Sequence, residues 1–132
     1  MAAVRAEDFT TSQSLDWRRV GYQVLVSRSL DALEETRLLP ERKLLYQFSA
    51  RGHDVPQVLL GQFLTGNHDG VTVYYRSRPL MLTLGLTLDD ALASTMMRAG
   101  SVSEGRDIGV VFNLPRRNGP AVLPAAGTRR AG

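Results

Sequence analysis

Three short apolar runs, at 44–48, 71–75 and 108–112, are separated by stretches with helical spacing. That alternation constrains the fold more than any other feature, because strands alternating with helices argue for an α/β sheet. Such sheets usually hold five or six strands and are covered on both faces. Three short candidates leave apolar edges that call for another chain or a continuation of this one. The sequence therefore reads as N-terminal helices plus the beginning of a larger sheet fold, incomplete in this chain. The run at 44–48 is too short for its period to separate strand from helix.

Three regions are expected within the 132 residues: a loose polar leader at 1–14, a partial domain at 15–114, and an irregular basic tail at 115–132. The most secure element is a helix over 16–37, where Trp17, Val20 and Val24 and then Tyr22, Val26, Leu30 and Leu33 recur at spacings of three and four. Its acidic residues Asp31, Glu34 and Glu35, set against Arg28 and Arg37, read as a solvated face, and Pro40 ends the pattern. Asp54 reads as an N-cap and Pro56 as a first-turn proline, opening a helix to about residue 64. The β-branched and aromatic run 71–75 predicts a strand, and Asn67, His68 and Asp69 before it are turn chemistry. A short apolar helix over 80–84 closes at Gly85, and Thr87 with Asp90 resembles a capping box that starts a helix to about Arg98.

Charge and composition exclude several classes. The chain has 16 basic and 13 acidic side chains and no cysteine, which removes disulfides, thiolate metal sites and a cysteine nucleophile together. Arg116, Arg117, Arg129 and Arg130 carry the basic excess; without them 12 basic and 13 acidic side chains remain, so no broad basic face is expected and nucleic acid is not an expected partner. The longest uncharged apolar stretch, 79–88, is ten residues, against the roughly 20 that a membrane span needs. The first 14 residues lack the apolar core of a secretory signal. A cytoplasmic protein without membrane partners is the expectation.

Tyr75-Arg76 is the pair with the clearest chemistry. An arginine fork suits phosphate oxygens, and a tyrosine hydroxyl adds a directed hydrogen bond at the end of a strand. By itself such a pair more often marks a core tyrosine beside a solvated arginine. His53 reads as a turn histidine, with Asp54 and Asp69 the acidic residues near it in sequence, and His68 as a surface residue.

In order and spacing, the long helix, Gly52-His53-Asp54 at the mouth of the next helix, Tyr75-Arg76 after a strand, and a leucine-rich helix leading to Gly105-Arg106 resemble one family. It is the thiamine-diphosphate-dependent decarboxylating component of the 2-oxoacid dehydrogenase complexes, in the N-terminal part of its alpha subunit or of a fused alpha–beta chain. The resemblance implies a thiamine-diphosphate-binding sheet fold, with Tyr75 and Arg76 on the cofactor diphosphate. It implies oxidative decarboxylation of a 2-oxoacid with acyl transfer to a lipoyl-bearing acyltransferase component, and a beta subunit or C-terminal half as partner. The family's magnesium is held by Gly-Asp-Gly and a downstream Asn. Neither is matched here; the nearest string is Asn67-His68-Asp69-Gly70, so the metal ligands are missing from this chain. Phe48 stands where pyruvate-type members tend to carry histidine, which favours the branched-chain, 2-oxoisovalerate type. Val110, Val111 and Phe112 occupy a region where the family often has another histidine.

Family-like sequence persists through 120–127 and then stops, and a truncated or frame-shifted reading frame is the expectation. The glutamate that activates the cofactor belongs to the beta chain in the family. No catalytic residue is therefore assigned here, and the chain is expected to be inactive alone. The alternative, from a different class, is a non-catalytic interaction or assembly module that docks on a larger subunit.

Overall fold

The computed structural model describes residues 14–65, 69–106 and 121–124. The readings made for the leader, for Asn67 and His68, for 108–112 and for most of the tail lie outside these residues. Helix α1 spans Trp17–Leu33 and continues into a π turn at Glu34–Leu38. Helix α2 spans Asp54–Phe63, strand β1 Gly70–Val73, helix α3 Arg78–Thr83, helix α4 Leu88–Thr95, and strand β2 Ala121–Pro124. This is a small, largely helical domain with one short strand pair among the described residues.

Helix α1 begins where the apolar spacing predicts. Asp16 caps it, its carboxylate accepting from the Arg19 amide at 3.0 Å. Past Leu33 the bonding widens, and the Leu39 amide reaches the Glu34 carbonyl at 2.9 Å, five residues back. At the start of α4, Thr87 accepts from the Asp90 amide at 3.1 Å and its hydroxyl donates to the Asp90 carboxylate at 2.8 Å. The glycine that closes α3, Gly85, holds φ +104°, a conformation that a side chain would strain.

Helix α3 is the centre of the molecule. All of its residues are buried, as expected of a helix covered on every side. Leu80, Met81, Leu82 and Leu84 form one core with Leu30 of α1, Val73 of β1, Leu86 before α4 and Ala91 within it, and Val26, Leu64, Val71, Leu92 and Val102 pack against it. Helices α1 and α2 both lie against α3.

The approach of α2 to α3 is close because Gly61 has no side chain. A Cβ there would stand 2.6 Å from Thr83 Cγ2 and 2.8 Å from Thr83 Cβ. The threonine does not rotate away freely, since its hydroxyl donates to the Pro79 carbonyl at 2.9 Å. Gly61→Ala is therefore expected to destabilise by about 1–3 kcal/mol by overpacking, although alanine is the better helix former by about 1 kcal/mol. Chemical denaturation checks this. Adding Thr83→Ser removes the nearer methyl but keeps the Cβ at 2.8 Å, and is expected to recover part of the loss.

The sheet departs from expectation in three ways. Residues 44–48 form no strand: they are irregular chain without a ladder, and among the described residues no strand lies beside them to pair with. Strand β1 ends at Val73, leaving Tyr74 and Tyr75 to a turn. Its partner is 121–124, inside the stretch read as an irregular tail, and the two run parallel with Gly70 opposite Ala121 and Val73 opposite Pro124. Four residues ending in proline carry too little period to announce a strand. Among the described residues the sheet is this one pair, so the larger α/β sheet is not seen there. No described helix is long and apolar enough to cross a membrane.

Candidate functional site

The carboxyl end of β1 turns sharply into α3, and this turn carries Tyr75 and Arg76. Its geometry is closed by two bonds between the same residues: the Ser77 amide donates to the Tyr74 carbonyl at 2.9 Å, and the Tyr74 amide donates to Ser77 Oγ at 3.2 Å. Val73 behind the turn and Ser77 after it are buried, which anchors both ends. Tyr74 and Tyr75 between them are exposed, at 43% and 41%.

Tyr75 lies in a row of rings. Its centroid is 4.7 Å from Phe48 and 5.1 Å from Tyr74, and Phe48 stacks on Tyr46 at 6.3 Å. The Arg76 guanidinium carbon sits 5.3 Å over the Tyr75 ring, a cation–π arrangement. Arg76 is held at both ends. Its backbone carbonyl accepts from Gln57 Nε2 at 3.0 Å, and its Nη1 donates to the Ser49 carbonyl at 2.8 Å. Gln57 in turn accepts from the Leu80 amide at 3.4 Å. The irregular segment 44–50, the first turns of α2 and the β1–α3 turn thus meet around one arginine.

Below this lies a buried charge cluster that the sequence reading placed in solvent. Asp31 and Glu34 are 0% and 1% exposed, and Arg78, the first residue of α3, is 4% exposed. The Arg78 guanidinium donates to both carboxylates. Asp31 also receives Arg28 at 3.0 Å, Ser49 Oγ at 2.7 Å and Gln47 at 3.4 Å. Asp54, read as a cap, is the first residue of α2; its carboxylate accepts from the buried Ser27 hydroxyl at 2.6 Å and lies 3.8 Å from Arg28.

Burial by itself would lower the pKa of Arg78. The hydrogen bonds and charges of Glu34 and Asp31 outweigh it and hold the guanidinium above the ordinary arginine value. Glu34 Oε2 and Arg78 Nε are buried without a hydrogen-bond partner among the described residues.

The charged face of α1 was misread because charge on a helix usually means solvent. The signal against that reading is in the spacing: Ser27, Leu30, Asp31, Glu34 and Leu38 share one buried face. What was missing was the cation, which comes from the start of α3. His53 is exposed, precedes α2 and makes no side-chain cap there. Asp54 is engaged by Ser27 and Arg28, so a His53–Asp54 proton pair is not assembled. Gly105, with φ +73°, packs against the Met97 carbonyl, 2.7 Å from where a Cβ would sit, and Arg106 beside it is exposed.

The residues at the turn suit a phosphate group. Arginine carries five N–H donors in a planar fork, and one of them goes to Ser49 here. Among the described residues no group of three His, Asp or Glu side chains is arranged to hold a metal ion. The cluster carboxylates that come nearest are committed to arginines and serines, so magnesium finds no ligand set in it. The chain matches no protein-family model and no curated protein.

Proposed function

We propose that the Tyr75–Arg76 turn is one half of a thiamine-diphosphate site, and that this chain belongs to the decarboxylating component of a cytoplasmic 2-oxoacid dehydrogenase, of the branched-chain type. The observation that carries the reading is the position of the pair, at the carboxyl end of a strand in a parallel ladder. Ligands of open α/β sheets bind in the crevice outside such ends. In this reading Arg76 donates to the diphosphate oxygens, the Tyr75 hydroxyl adds a hydrogen bond, and Phe48 and Gln57 fix the two in place. When bound, the cofactor supplies the carbanion chemistry that cleaves the 2-oxoacid. A beta subunit or C-terminal half supplies the activating glutamate and the magnesium ligands, and the acyl group passes to a lipoyl-bearing acyltransferase. The isolated chain then binds cofactor without turning over.

Titration calorimetry with thiamine diphosphate and magnesium tests this. A charge-assisted hydrogen bond is worth about 1.5–3 kcal/mol, so Arg76→Ala is expected to weaken binding by roughly 10- to 100-fold. The melting temperature is expected to fall much less than in Arg78→Ala, because the guanidinium lies outside the buried cluster and only its bond to Ser49 and its contact with Tyr75 are lost. Equal affinity in the two proteins sinks the reading.

A second reading is supported by a different surface. Trp17, Tyr22 and Leu25 on α1 are 65%, 62% and 66% exposed, and large apolar side chains in water suit an interaction or assembly module docking on a larger subunit. Partner binding without any effect of cofactor favours it over the first.

A further inference from the structure

We infer that Ser49 is a positioning residue: anchored by the buried Asp31, it aims the Arg76 guanidinium at an incoming anionic group. The inference rests on the reading of Arg76 as a diphosphate ligand and says how that ligand is held.

Residues 44–50 have neither helical nor ladder bonding to fix their path. Leu44 and Ala50 are buried at the two ends, and between them the segment is tied down by side chains. Both polar ties, Gln47 Nε2 and Ser49 Oγ, go to Asp31. Asp31 is a fixed point. It is fully buried on α1 and takes donors from Arg28 and Arg78 as well. The Ser49 bond is charge-assisted and short at 2.7 Å, so it is the stronger of the two ties. Ser49 then presents its backbone carbonyl to Arg76 Nη1 at 2.8 Å. A planar guanidinium held by one nitrogen over the Tyr75 ring has little rotational freedom left.

The kind of acceptor matters as much as its place. Arg51, two residues past Ser49, and Arg78, two past Arg76, are paired with carboxylates, Glu35 for the first and Asp31 with Glu34 for the second. Among the described residues Arg76 has no such ion pair, and a carbonyl orients it while leaving its full charge for an anion. The carboxylate that does the anchoring stays one residue removed, with its own charge met by Arg28 and Arg78.

Two readouts separate this inference from the cofactor reading. The first is rotation of the Arg76 guanidinium, followed by NMR of its side-chain nitrogens in the full chain. It is expected to be restrained in the wild type and in Ser49→Thr, and freed in Ser49→Ala. Should the alanine variant not fold, Ser49→Cys keeps the size with a weaker donor and gives the same readout. The second is titration with inorganic pyrophosphate, where Ser49→Ala is expected to lose roughly tenfold in affinity. In an Arg76→Ala background the same change is expected to lose nothing further. Restraint unchanged in Ser49→Ala overturns the inference, and so does an equal affinity loss in both backgrounds, which marks a general structural effect. A wild type that is restrained but takes no pyrophosphate overturns the cofactor reading alone.

Discussion

Replacing Arg78 with alanine is expected to remove about 3–5 kcal/mol of stability, seen as a lower urea midpoint with an unchanged slope. For a small domain whose total stability is about 5–15 kcal/mol this is a large share. The reason is what the arginine leaves behind. Asp31 keeps Arg28, Ser49 and Gln47, but Glu34, 1% exposed, loses the one cation that meets it among the described residues. An uncompensated buried carboxylate is the dominant cost, not the lost attraction. Truncating Glu34 as well is therefore expected to restore part of the loss, a non-additive result diagnostic of a shared pair. The pH dependence has a definite sign. Because the folded-state pKa of Arg78 is raised, its contribution is fully present below the ordinary arginine value and fades only as pH climbs through the raised one. Arg78 therefore contributes nothing to any change in stability across neutral pH.

Met81→Ala is the second large effect, about 2–5 kcal/mol by the same denaturation measurement. Met81 is 0% exposed at the middle of α3, and the surrounding leucines come from α3 itself, α1 and the segment leading to α4. Three elements would have to move together to fill the void, so little relaxation is available. Met81→Leu conserves volume and is expected to cost less than about 1.5 kcal/mol. A small cost for the alanine variant would mean that α3 is less tightly enclosed than its burial indicates.

How much of this was legible depended on how local its cause was. The course of α1 could be read because three- and four-residue spacing is a property of the segment itself, and the Thr87 cap because its partner is three residues away. The strand before Tyr75-Arg76 was legible for the same reason, but its end was not: it stops at Val73 and leaves the pair to the turn. Residues 44–48 were not, since strand identity is conferred by a partner and none among the described residues pairs with them. The cluster was hidden more deeply. Asp31 and Glu34 find their arginine 47 and 44 positions further along the chain, and within α1 only their place on the face of Leu30 and Leu38 hints that they turn away from water. Ser49 was invisible on the same grounds, because its hydroxyl finds Asp31 18 positions back and its carbonyl finds Arg76 27 positions on.

The parallel register of β1 and β2 also has a kinetic side. Gly70 meets Ala121 across a connection that contains all of α3 and α4. Contacts so remote in sequence form only after a long loop has closed, and high contact order slows that step. The contacts of α1 with α2 and of α2 with α3 close shorter loops and have helical spacing to favour them. The order of events follows: the helices gather around α3 first, and the ladder zips last. In the interval Gly70–Val73 is a bare edge with Val71 and Val73 on it, and such edges pair with other chains when they wait too long. The vulnerable moment for this protein is thus during synthesis and refolding, before the second strand arrives.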